Sequence, residues 1–114
     1  MISDQLKAQL LEFRRARDWE QFHSPRNLAA AMNVEASELL EHYQWASDAD
    51  ITRISVERRS DIADEIADIA ILLTYLANDL SFDLEEIVMA KLKKNAEKYP
   101  VAKSKGTSRK YDRL

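Results

Sequence analysis

An all-α fold is the class this 114-residue chain predicts, and three observations carry it. One glycine and two prolines leave little material for hairpins or long ordered loops. Apolar residues recur at three- and four-residue steps over most of the chain. Ser3, Ser24 and Asp83 each stand directly before such a stretch, where a side-chain oxygen can cap a helix. The expected architecture is an antiparallel helical bundle of four main helices, completed by oligomerisation. A chain of this length forms one folded body and buries roughly two-thirds of the surface its unfolded form exposes.

The first helix is expected from about Asp4 to Arg17, with Leu6, Leu10 and Phe13 on one stripe. Asp18 to His23 reads as irregular and carries Trp19, Phe22 and His23. Ser24 then caps a second helix, with Pro25 at the first helical position, where its missing N–H costs nothing. It is expected to run to about Trp45, with Leu28, Met32, Ala36, Leu39 and Tyr43 facing inward. A polar connection over Ala46–Ile54 leads to a third helix from Ser55 to about Leu80, roughly 38 Å long. Its seam of Ile62, Ile66, Ile69, Leu73, Leu76 and Leu80 suits a partner helix. Such a rod is long for a domain whose radius of gyration is near ~13 Å, and it is apolar all round from Ile69 to Ala77. Both points favour burial against another subunit. The fourth helix opens on an Asp83…Glu86 capping box, with Phe82 stapling onto Ile87, and must end before Pro100. The tail beyond, with the single glycine Gly106, reads as unstructured until something binds it.

The charge is unevenly spread. From Lys91 onward there are nine Lys or Arg against two acids, whereas the preceding residues hold eight against eighteen. A basic end on an acidic body can grip a phosphate, and the acidic majority argues against stable nucleic-acid binding. The absence of cysteine excludes disulfides and thiolate metal sites and fits a cytoplasmic setting. No secretory leader is visible in Met1–Gln5, and the apolar run Ile69–Ala77 is about half of what a membrane-crossing helix needs, so no membrane association is expected.

Two acid pairs carry the chemistry: Glu35 with Glu38, and Glu65 with Asp68. Three-residue spacing on a helix puts both members of a pair on one face, a turn apart. The 26 residues between the pairs allow two antiparallel helices to bring them together. Converging carboxylates repel unless a cation joins them, and hard oxygen donors suit Mg²⁺, with Mn²⁺ as a substitute. Asp61, Asp64 and Glu57 extend the acidic stripe, and each like-charge pair at such spacing costs roughly 0.2–0.5 kcal/mol on an exposed helix. A lone stripe of this kind is more often a solvated face. Two separate helices carrying paired acids beside apolar stripes shift the balance toward a metal site. His42, one turn past Glu38, either extends that site or is an ordinary hydrogen-bonded residue; Glu41 reads as a solvated residue or a second-sphere group. Trp19 and Trp45 stand at the margins of the second helix beside polar residues, a placement compatible with a flat slot for a base as well as with core packing. Lys91, Asn95, Lys98 and Tyr99 form a polar strip that is either a solvated face or a phosphate cradle.

The run Asp18-Trp19-Glu20-Gln21-Phe22-His23-Ser24-Pro25-Arg26-Asn27-Leu28 resembles the all-α nucleoside triphosphate pyrophosphohydrolases of the MazG-like group. So do Glu35-Ala36-Ser37-Glu38-Leu39, Gln44-Trp45, Asp64-Glu65-Ile66-Ala67-Asp68, Lys94-Asn95, Lys98-Tyr99-Pro100 and Gly106-Thr107-Ser108-Arg109-Lys110-Tyr111. The likeness extends from about Leu10 to near the end and is greatest to members acting on dCTP. It implies Mg²⁺ held by Glu35, Glu38, Glu65 and Asp68, and hydrolysis of a deoxynucleoside triphosphate, dCTP or a related or modified one, to the monophosphate and pyrophosphate. It implies Trp19, His23 and Trp45 around the base, with Lys91, Asn95, Tyr99, Ser108, Arg109 and Lys110 meeting sugar and phosphates. Residues 1–100 would then form the catalytic domain, residues 101–114 a basic tail closing over the site, and the assembly a homodimer or homotetramer. Leu10 and Leu72 depart from the pattern, where mammalian members carry a histidine and a tyrosine that bear on base or sugar recognition.

Two other classes compete on the residues alone. A di-iron or di-manganese oxidase bundle usually shows Glu-x-x-His pairs, and neither acid pair here ends in histidine. A non-catalytic helical oligomer or regulator would use the acid stripes only as a surface.

Overall fold

The Ser3 hydroxyl accepts from the Leu6 N–H at 3.1 Å and starts α1, Asp4–Ala16. The computed structural model describes residues 2–114 and forms two compact units, Ile2–Ser81 and Phe82–Leu114. The described residues are helical, with no strand, as the glycine-poor composition predicts. None of their helices is long and apolar enough to cross a membrane.

In the first unit, α1 ends at a tight corner where Asp18 takes φ 55°, followed by a 3₁₀ turn over Glu20–Phe22. The Ser24 hydroxyl then accepts from the Asn27 N–H at 3.1 Å and opens α2, Pro25–Glu41. This helix stops four residues short of the expected end at Trp45. Its last turns tighten to three-residue bonds, His42 N to Leu39 O and Tyr43 N to Leu40 O, so regular α-helix cannot continue.

The expected single rod from Ser55 to Leu80 is two helices, α3, Ile51–Glu57, and α4, Arg59–Asp79. Arg58 breaks them at φ −106°, ψ 23°, taking a bond from its own N–H to Ile54 O and accepting one from Ile62 N–H. Ser55 is not the cap the sequence offers. Its hydroxyl is taken by Ile51 O at 2.9 Å and by the Tyr43 hydroxyl at 2.8 Å, which pins α3 to the end of α2. Ser81, at φ 61°, closes α4.

The most extensive pairing is α2 along α4, with α1 and α3 touching α4 over shorter stretches. The pair runs antiparallel: His42, at the end of α2, meets Glu65 near the start of α4, whereas His23, just before α2, lies against Tyr75. The buried apolar residues are few: Leu28, Ile54, Ile62, Tyr75 and Ala77. The expected α1 stripe is not covered, since Leu6 and Phe13 stay exposed while Arg14 is buried. The α4 seam is covered in part: Ile62 is buried and Ile69, Leu73 and Leu76 are half-buried, whereas Ile66 is 54% exposed.

Arg14 ties α1 to α4. Its guanidinium makes two parallel 2.8 Å bonds to the Asp79 carboxylate and lies 4.6 Å over the Tyr75 ring. The Tyr75 hydroxyl donates to Leu10 O at 2.8 Å. The bonds from Arg14 hold the Asp79 carboxyl below the usual carboxylate range.

In the second unit, Asp83 caps α5, Leu84–Lys98, by accepting from the Glu86 N–H at 3.0 Å. The tail is ordered rather than unstructured. A turn of helix, α6, Val101–Ser104, ends at Gly106, whose φ of 82° suits glycine. A 3₁₀ turn over Tyr111–Arg113 follows, with Tyr111 edge-on to Tyr99 at 6.2 Å and under the Lys98 ammonium at 4.7 Å.

Removing one partner of the Arg14–Asp79 pair leaves a buried charge uncompensated. Complete burial would make that cost about 3–5 kcal/mol; Asp79 keeps 25% of its exposure, so ~2–3 kcal/mol is expected for Asp79→Ala. A thermal melt of Asp79→Ala should fall by roughly 10 °C or more, and the paired change Arg14→Met with Asp79→Leu should recover most of it.

Candidate metal and nucleotide site

Packing of α2 on α4 brings the two acid pairs together. Glu35 interacts electrostatically with Glu38 on its own helix and with Asp68 and Glu65 across the seam. Burial, then these negative neighbours, push the Glu35 carboxyl above its ordinary value. Glu35 Oε2 is shut off from solvent and has no hydrogen-bond partner, and the same is true of Glu65 Oε2. His42 Nε2 lies 2.7 Å from that Glu65 oxygen, off the line of a well-formed hydrogen bond. Among the described residues no three Asp, Glu or His side chains stand at ligating spacing around one point. The arrangement is therefore a set of facing acids rather than a closed cage.

Shielded carboxylate oxygens without donors are costly in a folded protein. An all-oxygen donor set with two such orphans fits a hard divalent cation such as Mg²⁺, and it offers nothing to a soft one. Of the wider acidic stripe, Glu57 bonds Arg53 at 2.9 Å on α3, while Asp61 and Asp64 are exposed on α4. Those three read as a solvated face.

The residues expected around the base are spread over the first unit. His23 is half-buried, its ring 5.5 Å from Tyr75, and its Nδ1 has no partner. Burial and the nearby Arg14 hold its pKa below the usual histidine value, so it is neutral at pH 7. Trp19 packs edge-on against Phe13 at 5.7 Å, with part of its indole exposed. Trp45 is 89% exposed at the other end of α2. A 17-residue helix is about 25 Å long, so one chain does not place both indoles against one base.

The expected phosphate residues belong to the second unit. Asn95 and Tyr99 are half-buried there, and Lys91, Ser108, Arg109 and Lys110 are exposed. The Arg109 N–H donates to the Thr107 hydroxyl at 3.2 Å, which sets the bend of the Ser108–Lys110 segment.

Sequence reasoning missed the Arg14–Tyr75–Asp79 group that walls His23. A signal existed: Arg14 shares a face with Leu10, and Tyr75 and Asp79 are four residues apart on α4.

The helical architecture and the facing acids of α2 and α4 define a class, and comparison with known proteins gives it a name. Residues 30–114 match the MazG-like family, and the chain belongs to that family. It is 41% identical over 105 residues to dCTP pyrophosphatase 1 of Rattus norvegicus and 39% identical over 105 residues to that of Homo sapiens. In both cases 90% of this chain aligns with 62% of the relative's length. The crystal structure of a pyrophosphatase from Archaeoglobus fulgidus DSM 4304 matches with a TM-score of 0.83 at 37% identity, covering 85% of this chain and 91% of that one.

A raised carboxyl pKa has a definite consequence for stability. The folded state holds the Glu35 proton more tightly than the unfolded state, so the stabilisation is full below the ordinary value of 4.5 and disappears as pH climbs through the folded value. In chelator at pH 7.5, Glu35→Gln should melt higher than the parent protein, and its melting point should fall less steeply above pH 4.5. Differential scanning calorimetry across pH reads both effects.

Proposed function

We propose that this chain is a Mg²⁺-dependent nucleoside triphosphate pyrophosphohydrolase that converts dCTP, or a related or modified deoxynucleoside triphosphate, to the monophosphate and pyrophosphate. The observation that carries this reading is the facing set of four carboxylates, with solvent-shielded orphan oxygens on Glu35 and Glu65, in a member of the MazG-like family. The pyrophosphatase names of its relatives supply the reaction class.

Glu35, Glu38, Glu65 and Asp68 would hold the ion, with Mn²⁺ able to replace Mg²⁺. Bound there, Mg²⁺ supplies charge neutralisation on the phosphates and a water of lowered pKa. One carboxylate of the set takes the proton of the attacking water, which breaks the bond between the α- and β-phosphates. Lys91, Asn95, Tyr99, Ser108, Arg109 and Lys110 bind sugar and phosphates and stabilise the charge on departing pyrophosphate. In this reading residues 101–114 close over a catalytic body formed by residues 1–100.

His23, neutral at pH 7, offers the base a hydrogen-bonding ring rather than a charge. Trp19 and Trp45 face the base together only if one of them comes from a neighbouring chain, which supports a homodimer or homotetramer. The exposed apolar face of α5, with Val88, Met89 and Leu92, supports the same assembly. The setting is the cytoplasm, with no stable nucleic-acid or membrane partner.

Replacing Glu38 or Glu65 with Gln keeps the shape and removes a ligand charge. Pyrophosphate release from dCTP in Mg²⁺ should drop by at least ~10²-fold in each variant, with circular dichroism unchanged. Full turnover in a folded variant refutes the assignment. A melt with dCTP and Ca²⁺ separates the enzyme, which should be stabilised, from a non-catalytic helical oligomer, which should not.

A further inference from the structure

The basic end of the chain has no counter-charge of its own. Among the described residues, none of the nine Lys or Arg from Lys91 onward takes part in an ion pair. The path of residues 101–114 is nonetheless fixed by short-range bonds. The Lys103 and Ser104 N–H groups donate to Pro100 O at 3.0 Å, Thr107 N–H to Ser104 O at 3.2 Å, and Arg113 N–H to Lys110 O at 2.9 Å. Each spans three or four residues, so these bonds bend the tail without tying it to α5. The side chain that returns it there is Tyr111. Its ring stands edge-on to Tyr99, 6.2 Å between centroids at 87°, and the Lys98 ammonium lies 4.7 Å from its centre. Lys98 is the last residue of α5 and Tyr99 its cap.

An aromatic ring has a particular merit at this place. Its face attracts the ammonium without cancelling the charge, as a carboxylate would. Docking Tyr111 also carries Arg109 and Lys110, its two predecessors, to the end of α5. Drawing like charges together costs free energy that a multivalent anion offsets. We propose that Tyr111 is a positioning residue for triphosphate binding: docked on Lys98 and Tyr99, it holds Arg109 and Lys110 as a cationic arm for the phosphates. This rests on the pyrophosphohydrolase reading above and adds to it a residue that acts through its neighbours without touching the substrate.

The test uses the whole chain and reads dCTP binding in Ca²⁺ by calorimetry. Losing an edge-on aromatic pair together with an exposed cation–π contact lowers the docked-to-free ratio roughly 5–70-fold. Apparent affinity falls with the docked fraction, so Tyr111→Ala should weaken dCTP binding about threefold or more, with the helical spectrum intact. Tyr111→Phe keeps the ring and should bind within about twofold of the parent. In a background of Arg109→Ala with Lys110→Ala, Tyr111→Ala should weaken binding no further. Equal affinity in parent and Tyr111→Ala overturns the proposal. So does a Tyr111→Phe loss as large as that of Tyr111→Ala, or an undiminished loss in the arm-less background. A parent that binds no dCTP removes the pyrophosphohydrolase reading and this inference with it; binding that ignores Tyr111→Ala leaves that reading standing and removes only the role of Tyr111. A second measurement needs no nucleotide: heteronuclear ¹⁵N relaxation should show Ser108, Arg109 and Lys110 loosened in Tyr111→Ala and unchanged in Tyr111→Phe. Unchanged order in Tyr111→Ala overturns the inference.

Discussion

Four negative side chains meet across the seam of α2 and α4, and the rest of the structure has to hold them there. Glu35 feels Glu38, Asp68 and Glu65, and its shielded oxygen has no donor. Left to itself such a set pushes its helices apart. What resists is apolar contact elsewhere along the pair, with Leu28 on α2 and Ile62 on α4 buried, and the clamp of α3 onto the end of α2 through Tyr43 and Ser55. The unsatisfied carboxylates work against stability at this point, and the proposed cation would offset them.

The other end of the same helix pair solves the same problem differently. Asp79 is a partly exposed carboxylate there, and Arg14 satisfies it with two bonds and lies over Tyr75 in the same stroke. That end is electrically closed and can serve as an anchor. The contrast separates a satisfied acid from unsatisfied ones: Asp79 has its cation built in, whereas Glu35 and Glu65 each keep an oxygen without a partner. His23 stands on the closed side, kept neutral by burial and by the same Arg14. A polar wall around a neutral ring thus comes from the residues that fasten α1 to α4.

Much of this was legible in the sequence where the signal is local. Ser3, Ser24 and Asp83 cap as expected because a cap depends on three consecutive residues and their N–H groups. The acid pairs face one another because three-residue spacing fixes a helix face. The break at Arg58 was not legible: nothing in the Ser55–Leu80 pattern forbids helix there, and the competing bonds of Ser55 come from Tyr43 and Ile51. Arg14 was missed because its partner Asp79 is sixty-five residues away. The ordered tail depends on Tyr111 finding Tyr99, a contact that periodicity does not encode.

The apolar pattern overstated what one chain covers. Leu6 and Phe13 fall on one apolar stripe and Ile66 on a seam suited to a partner helix, and each stays exposed in the single chain, as do Val88, Met89 and Leu92 on α5. Spacing records that a side chain is to be kept from water; it does not say by which molecule. An exposed indole at Trp45, roughly one helix-length from Trp19, makes the same point from the side of the site. Burying those residues against a second copy would lower the cost of exposed apolar surface by about 25 cal/mol per Å² covered. In the proposed oligomer, these exposed apolar side chains and the exposed indole of Trp45 are what a second copy would cover.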